Sequence, residues 1–533
     1  MPTDRIPFRD TNYFSSLICD YLDQNDHLKP FYNRFPKLEN FKEQIQEKQS
    51  RFSSENRRVL TDVLNTQYES IESSELTQQN INLLRDNATF TVTTGHQLNL
   101  FTGPLYFFYK IVSTINLCKD LKEKHPENNF VPMYWMASED HDFEEINFFN
   151  FKGKKVRWNR NASGAVGELD LEGLDSVFEA FETQLDSTVQ ASELKTLFKE
   201  AYLNHKNLTE ATRYLVNDLF KAYGLVIVDG NDKRLKELFV PYLISELTQK
   251  NSFKNVTQAN TALNRLEENY KIQVNPRDIN LFYIKDGLRE RIVEQEETYY
   301  VNNTEIKWSK TELEKEVHAF SERFSPNVIV RPLYQEVVLP NLCYIGGGGE
   351  LAYWLQLKSN FQDQKVVFPI LLLRNSVLLI TDKQREKIKK LNLEVADLFL
   401  NQEDLKSKVT QQISEIDIDF STQKQHLKHQ FEALYDLAKK TDESFVGAVA
   451  AQEQKQINGL KHLEKRLLKA QKRKLSDHLN RVVELQNQLF PNHSLQERQL
   501  NFSEFYLELG SEFIPKLISE LHPLRGDFSI ITV

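Results

Sequence analysis

The spacing of apolar and polar positions changes abruptly near residue 88. Before it, residues 10–35 and 38–85 are polar, show helical spacing and contain few strand formers, which predicts an N-terminal helical segment over residues 1–87. After it, short runs rich in β-branched and aromatic residues alternate with apolar helical stretches. This alternation is typical of an α/β protein with a parallel sheet.

The first of these runs form a βαβ unit. Residues 88–94 predict a strand, residues 104–123 an apolar helix, and residues 129–137 a second strand. A right-handed crossover makes the two strands parallel, so the loops that follow them lie at the same edge of the sheet. Ligands of open α/β sheets bind at that edge.

The remaining sequence predicts an α/β core over residues 88–384 with two insertions. The first insertion, at about 151–222, reads as a hairpin and three helices, and residues 223–232 return to the main sheet. The second, at about 233–325, contains helices over 233–270 and strand-like stretches at 279–287 and 289–301. Further sheet and loop structure is expected at 327–357, and a buried strand at 366–373.

Residues 385–494 are helical and highly charged. Leu427, Phe431 and Leu434 fit one apolar stripe, a second stripe follows, and residues 441–444 mark a break. The second stripe comprises Leu460, Leu463, Leu467, Leu475, Leu479 and Val482. The pattern predicts either a coiled coil of the kind that dimerises or a helical hairpin within one chain. Residues 495–533 are expected to return to the core.

The loop after the first core strand offers groups that bind ligands. Gly95 allows the backbone to approach a ligand, His96 and Gln97 are polar, and Thr102 and Gly103 precede a helix start that favours an anion. The segment matches neither GxGxxG nor a P-loop. A structural turn with an exposed histidine is the competing interpretation.

The loop after the second core strand carries Glu139, Asp140, His141 and Asp142. An imidazole among carboxylates is a candidate acid or base, which favours His141, Asp140 and Glu139 as catalytic residues. A divalent metal is the competing hypothesis, although the spacing is not that of most metal sites. A third interpretation, an acidic helix start, explains Asp142 better than His141.

Two later segments add candidates. Arg331 and Gln335 follow another predicted strand, where Arg331 either binds a carboxylate or pairs with Glu336. Four consecutive glycines precede a helix expected to begin at Glu350, and they suit a turn that approaches a substrate closely. These glycines are Gly346, Gly347, Gly348 and Gly349.

Composition narrows the classes of function. A net charge of −9 argues against a general nucleic-acid binder, and the basic face over 461–474 is expected to be a solvated helix surface. The N-terminus lacks the pattern of a signal peptide, and the longest apolar run is too short to span a bilayer. Three scattered cysteines form no CxxC pair, so a cytoplasmic protein without a zinc knuckle or disulfide framework is expected.

Taken together, the motifs resemble those of the bacillithiol biosynthesis cysteine-adding enzyme family, the cysteine ligases. The resemblance covers essentially the whole chain in the right order. It rests on segments 94–110, 132–146, 223–236, 331–354 and 495–501.

The resemblance implies a Rossmann-like core with inserted connecting segments, plus a C-terminal α-helical coiled coil that mediates homodimerisation. It implies a ligase that adds cysteine to glucosaminyl-malate in the last step of bacillithiol synthesis. His96 departs from the motif, since many family members carry glutamine there, so a binding role is expected for it. The alternative is a nucleotide- or sugar-binding subunit that needs a partner or an activated cysteine donor for chemistry.

Roles for the candidate residues follow from this implied reaction. His141, with Asp140 or Glu139, is expected to deprotonate the attacking amine, while the 95–97 loop holds the malyl carboxylates or the sugar. Lys110 and Arg331 compensate negative charge, and residues 346–350 close over the substrate. ATP or ADP is the expected cofactor, with Arg498 and Asn501 as nucleotide-binding candidates; a metal is not implied.

Overall fold

The computed structural model describes residues 4–266, 270–285 and 287–533. Its β-strands, in chain order, are β1 (Asp4–Pro7), β2 (Thr89–His96), β3 (Asn129–Met136), β4 (Phe148–Phe151), β5 (Lys154–Arg157), β6 (Val226–Asp229), β7 (Leu281–Lys285), β8 (Leu288–Gln295), β9 (Thr298–Val301), β10 (Lys307–Ser309), β11 (Phe324–Pro326), β12 (Asn341–Gly346), β13 (Ile370–Leu373), β14 (Ser376–Ile380) and β15 (Asp527–Thr532). They form four sheets, of which the largest parallel one positions the candidate site.

The helices surround these sheets. Those of the first two-thirds of the chain are α1 (Ser16–Leu22), α2 (Phe41–Arg51), α3 (Ser54–Tyr68), α4 (Glu75–Leu83), α5 (Tyr106–Lys124), α6 (Phe143–Ile146), α7 (Leu174–Glu182), α8 (Val189–Leu203), α9 (Leu208–Phe220), α10 (Lys233–Gln249), α11 (Asn251–Asn264), α12 (Lys310–Ala319), α13 (Arg331–Val338), α14 (Gly348–Trp354) and α15 (Lys358–Asp363). The rest are α16 (Asp382–Lys390), α17 (Gln402–Ile413), α18 (Ser421–Ala438), α19 (Glu443–Lys474), α20 (Ser476–Leu489), α21 (Gln496–Gln499), α22 (Phe502–Leu509) and α23 (Phe513–Glu520). Among the described residues, none of these helices is both long and apolar enough to cross a membrane.

The central sheet has five parallel strands in the order β13-β12-β2-β3-β6. Gly95 pairs with Trp135 and His96 with Met136, which confirms the predicted parallel βαβ unit. All of β2 is buried, as expected for a parallel strand covered on both faces. Helix α5 packs on the sheet and is apolar around most of its circumference, because it is buried on both sides.

Two insertions leave and rejoin this sheet, and the hairpin of the first begins at residue 148, before the expected start at about 151. The first contains the antiparallel β4–β5 pair and the three helices α7 to α9, and β6 then pairs with β3. The second contains α10, α11, α12 and most of a separate antiparallel sheet, in the order β10-β9-β8-β7-β11. Residues 267–269 of the predicted helical stretch, and residue 286 of the predicted strand, lie outside the described residues.

Helix α13 replaces the loop that was predicted around Arg331. The Asn327 side chain accepts hydrogen bonds from the Ile329 and Val330 N–H groups, and Pro332 occupies the first turn, where it needs no N–H partner. The next helix also differs from the prediction. It begins at Gly348 rather than Glu350, because the Glu350 side chain accepts the Gly347 N–H in a capping arrangement.

The N-terminal segment is less continuously helical than predicted. Ser15, Ser53 and Ser74 cap separate helices, and short irregular stretches lie between them. Strand β1 was not predicted, because four residues carry too little pattern and its partner lies at the other end of the chain. It pairs antiparallel with β15, which in turn pairs in parallel with β14.

The long helices α18 and α19 form a hairpin within the chain. Tyr435 donates to Glu453 at 2.8 Å and Lys424 pairs with Glu464 at 2.8 Å, which fixes the antiparallel register. The predicted break at 441–444 is confirmed. Part of the predicted stripe stays exposed on this single chain, including Leu463, whose exposed fraction is 52%.

Candidate functional site

A cavity of about 810 Å³ opens at the carboxyl edge of the central sheet. His96 at the end of β2 and His141 beyond β3 both line it, so the two loops face one cavity, as the parallel arrangement predicted. The β7–β8 hairpin of the second insertion contributes another part of the wall, including Phe282 and Arg289. The site is therefore built from the Rossmann-like sheet and an insertion together.

Lys110 anchors the cationic part of the cavity. Its ammonium group donates to the Gly95 carbonyl at 2.7 Å and lies 2.5 Å from a Glu350 carboxylate oxygen. Burial lowers the pKa of Lys110, although Glu350 opposes this effect. Burial alone would raise the pKa of Glu350, but Lys110 and hydrogen bonds from the Gly347 N–H and the Tyr344 hydroxyl lower it instead. Both side chains are therefore held in place as an ion pair.

Three arginines complete what we call the cationic cluster: Arg331, Arg374 and Arg498, together with Lys110. Arg331 donates to the Tyr353 hydroxyl at 2.7 Å, and Arg374 pairs with the fully buried Glu497 at 2.7 Å. Burial lowers the pKa of Arg374, but Glu497 outweighs it and raises the pKa overall. Glu350 pairs with Lys110, and the remaining positive charge of the cluster favours an anionic ligand.

Three buried nitrogen atoms in the cavity lining have no hydrogen-bond partner among the described residues. They are Nε2 of His96, Nε of Arg289 and Nε of Arg374. Burial, reinforced by the positive charge of Lys110, lowers the pKa of His96 to about 3, so the imidazole is neutral at physiological pH. Because buried polar atoms are nearly always paired, these three atoms indicate where a ligand or water binds.

The acidic cluster, Glu139, Asp140, Asp142 and Glu145, also lines the cavity. Gln97 donates to both Asp140 and Glu145 at 2.9 Å, and the His141 N–H donates to Asp140 at 2.8 Å. Burial tends to raise the pKa of Asp140, but these hydrogen bonds together with the His141 side chain hold it well below its usual range. Glu139 lies 2.5 Å from the buried ammonium group of Lys236.

Arg289 reaches across the cavity from strand β8 to His141. Its guanidinium Nη1 lies 2.6 Å from Nδ1 of the imidazole, and its Cζ atom lies 4.0 Å from the centre of the Phe282 ring. Burial lowers the pKa of Arg289, and the carboxylates of Glu139 and Asp140 oppose this. A guanidinium has no lone pair to accept a hydrogen bond, so Nδ1 of His141 is the acceptor.

The glycines at positions 95 and 346–349 differ in how much space surrounds them. A Cβ atom at Gly95 would lie 3.3 Å from the Tyr344 hydroxyl, so a side chain there would crowd the cationic cluster. Gly347, Gly348 and Gly349 line the cavity and have no neighbour closer than 3.5 Å to such an atom, which leaves their backbone accessible to a ligand. A Cβ atom at Gly346 would lie 2.8 Å from the Leu351 side chain, so this glycine is required by packing, and it does not line the cavity.

Four further predicted site residues lie outside the cavity lining. Thr102 and Gly103 form a buried turn with positive φ angles, and Asn501 donates to the backbone of that turn. Gln335 is fully buried on α13 and donates to Glu336. In each case the side chain or backbone is used within the fold, which the sequence pattern did not reveal.

The remaining predicted residues do line the cavity. They are Gly95, His96, Gln97, Lys110, Glu139, Asp140, His141, Arg331, Gly347, Gly348, Gly349, Glu350 and Arg498. Several lining residues were not predicted, including Tyr106, Arg277, Arg289, Arg291, Tyr353 and Arg374. One of them carried a usable signal, because Arg374 directly follows the buried strand β13, where site residues of parallel sheets are expected.

The loop after β3 brings together three side chains that could act as ligands of a cation. Asp140, His141 and Asp142 each present one ligand atom, and these atoms lie within 4.8 Å of one another. The Nδ1 atom of His141, however, accepts from Arg289, and both Asp140 oxygens accept hydrogen bonds. A cation would have to compete with the neighbouring guanidinium, so we derive no metal chemistry from this group.

A parallel sheet with an anion-favouring cavity at its carboxyl edge, followed by a C-terminal helical hairpin, defines a two-domain α/β protein with a ligand site at the sheet edge. Two family models match consecutive parts of the chain. One is the N-terminal Rossmann-like domain of the bacillithiol biosynthesis BshC family, over residues 1–375, and the other is its C-terminal coiled-coil domain, over residues 377–533. The chain belongs to the bacillithiol biosynthesis BshC family.

Curated relatives extend over nearly the whole chain. A protein of Christiangramia forsetii is 58% identical over 100% of this chain and 99% of its own length. One of Flavobacterium johnsoniae is 58% identical over the full length of both, and one of Bacillus mycoides is 28% identical over 97% of both. Each carries the name "Putative cysteine ligase BshC".

Proposed function

We propose that this protein is a cysteine ligase that joins the carboxyl group of cysteine to the amine of glucosaminyl-malate, in the last step of bacillithiol biosynthesis. The observation that carries the proposal is the full-length match to BshC-family domains and relatives named as cysteine ligases. Support also comes from a cavity that offers both a cationic and an acidic cluster. Such a cavity suits a substrate that carries carboxylates and an amine.

The cationic cluster binds the malyl carboxylates in this proposal. Arg331 and Arg374 offer guanidinium groups, and the Gly347–Gly349 backbone leaves room for a carboxylate to approach. The unpartnered Nε of Arg374 supplies a donor, while neutral His96 supplies a further polar contact to the substrate. Lys110 has a different task, because it is already engaged with Glu350 and the Gly95 carbonyl, and it holds the loop in position.

The acidic cluster receives the amine end of the substrate. An ammonium group is favoured near Asp140 and Glu139, and it must lose a proton before it attacks an acyl carbon. We propose that a carboxylate of the acidic cluster, Asp140 or Glu139, accepts this proton, and that His141 acts beside it in the same step. Forming the amide then joins the substrate nitrogen to the cysteine carbonyl carbon and releases the activating group.

The cysteine carboxylate needs activation, since a free carboxylate is a poor electrophile in water. We propose a nucleoside triphosphate as the activating co-substrate, with the exposed Arg498 at the cavity as its candidate contact. A guanidinium group can donate two hydrogen bonds to phosphate oxygens, which is the basis for choosing Arg498 as this contact. Asn501 is engaged with the backbone of the 101–103 turn and is better explained by the fold.

We further propose that the protein is a cytoplasmic homodimer joined through the α18–α19 hairpin. Several large apolar side chains remain exposed on that hairpin: Leu434, Leu437, Phe445 and Leu463. Exposed apolar side chains at helical spacing favour packing against another helix. A second copy of the same hairpin is the occupant that the family's coiled-coil domain suggests.

The test is mass spectrometry of the purified protein incubated with glucosaminyl-malate and cysteine, with and without ATP and magnesium. A product with the mass of the amide, formed only with ATP, supports an ATP-dependent ligase. Failure to form product in either condition, with glucosaminyl-malate still bound, refutes a self-sufficient ligase. That outcome would instead favour a binding subunit that requires a partner or an activated cysteine donor.

A further inference from the structure

The hydrogen bond between Arg289 and His141 constrains which nitrogen of the imidazole carries a proton. Arg289 Nη1 lies 2.6 Å from His141 Nδ1, and a guanidinium can only donate. The lone pair of Nδ1 is therefore occupied. A neutral imidazole has one N–H group, so its proton lies on Nε2.

The surroundings favour the same arrangement. Nε2 of His141 lies 3.8 Å from a carboxylate oxygen of Asp142, a position that stabilises a proton on Nε2. The Asp140 oxygen that lies 3.6 Å from Nδ1 already accepts the His141 backbone N–H. At 3.6 Å this oxygen lies beyond hydrogen-bond distance of Nδ1, so Arg289, at 2.6 Å, is the hydrogen-bond partner of Nδ1.

Arg289 is itself held firmly. Its guanidinium lies over the Phe282 ring at 4.0 Å and donates to the Ser325 hydroxyl at 3.4 Å. The carboxylates of Glu139, Asp140 and Asp142 all stabilise its charge. Arg289 and Arg291 project from the same face of β8, two residues apart, yet only Arg289 contacts His141.

We propose that Arg289 is a positioning residue that holds His141 as the Nε2–H tautomer. In that state His141 presents a hydrogen-bond donor, not a lone pair, to the cavity. In the proposed ligase reaction, on which this consequence rests, His141 then donates to the oxygen that becomes negative as the amine attacks the acyl carbon. Removal of the amine proton falls to a carboxylate of the acidic cluster.

This division of roles explains why an inserted hairpin contributes to a cavity of the central sheet. From the sequence, His141 was expected to act as a base, because that expectation rested only on the neighbouring carboxylates. Strand β8 is about 150 positions away from His141 in the chain. Through Arg289 it makes the imidazole present a hydrogen-bond donor to the cavity instead of an acceptor.

The experiment is ¹⁵N NMR of histidine-labelled protein without substrate, with the His141 signals identified by their loss in His141→Gln. We expect the nitrogen shifts of an Nε2–H imidazole in the unsubstituted protein near pH 7.5. Arg289→Met should give a mixture of tautomers, whereas the matched control Arg291→Met should keep the original pattern. Arg289→Lys, which retains a cation, serves as a second variant should Arg289→Met fail to fold.

An Nδ1–H or mixed pattern in the unsubstituted protein overturns the proposal, and so does an unchanged pattern in Arg289→Met. If the protein is an active ligase, Arg289→Met should lower kcat about 10-fold or more and alter the pH profile, with KM for glucosaminyl-malate little changed. The NMR result does not depend on turnover. A protein without ligase activity but with the expected tautomer would refute the proposed function and leave the role of Arg289 intact.

Discussion

Replacing Asn501 by alanine distinguishes a residue that supports the fold from one that binds a nucleotide. Asn501 is fully buried, and its amide donates to the Phe101 and Gly103 carbonyl oxygens at 2.8 and 2.7 Å. Its side-chain oxygen accepts the Ser503 N–H and so caps helix α22. Phe101 and Thr102 have φ angles of +48° and +67°, which side chains disfavour, so external contacts are needed to hold this turn.

The magnitude follows from these three hydrogen bonds. Loss of an N-cap destabilises a protein by about 1 kcal/mol. Each buried carbonyl left without a donor adds about 1–3 kcal/mol. We therefore expect Asn501→Ala to lower the free energy of unfolding by about 3–7 kcal/mol, a large fraction of the stability of a typical domain.

Hydrogen exchange followed by mass spectrometry measures this effect locally, together with the thermal unfolding midpoint. We expect much faster exchange in the peptide that covers residues 99–108, because the turn opens more often. Asn501→Asp keeps the cap acceptor but loses both donors, so it should retain most of the exchange defect. The reasoning is refuted if Asn501→Ala exchanges like the unsubstituted protein and loses only nucleotide affinity, as expected for a binding residue.

Three further predictions follow from other features. Folding lowers the pKa of His96 to about 3, from an unfolded value near 6.5. Its contribution to stability is therefore complete above pH 6.5 and is lost as the pH falls. Between pH 7 and 5, urea unfolding should show about 2 kcal/mol more destabilisation in the unsubstituted protein than in His96→Gln. Equal losses would contradict this. His141→Asn should lower kcat about 10²-fold or more while glucosaminyl-malate affinity, measured by calorimetry, changes little; a loss of binding alone would contradict a catalytic role. The double variant Leu437→Glu and Leu463→Glu should sediment as a monomer instead of a dimer, because each of these exposed leucines contributes about 1.5–3 kcal/mol when it is buried at an interface. A variant that remains a dimer would place the interface elsewhere.

The amino-acid pattern was sufficient for the central sheet. Strands β2 and β3 and helix α5 are apolar over most of their length, and a short connection between them leaves a parallel crossover as the favoured topology. That topology brings His96 and His141 to one edge, although they lie far apart in the chain. Local pattern and a handedness rule are enough for this prediction, because both depend only on neighbouring residues.

Local pattern was not sufficient where the partner is distant. Strand β1 has four residues and is defined by pairing with β15, more than 500 positions away. Asn501 resembles a polar site residue in sequence, but its amide is used by the 101–103 turn. Thr102 and Gly103 belong to that turn for the same reason.

The sequence by itself determined the class of fold, the order of its insertions and the two loops that meet at the cavity. Only the tertiary structure decided which polar groups stay free for a ligand. Lys110 is paired with Glu350, and His141 accepts from Arg289, whereas Nε of Arg374 has no partner among the described residues. The physical reason is that apolar periodicity is encoded along the chain, whereas hydrogen bonds and ion pairs depend on groups that folding brings together.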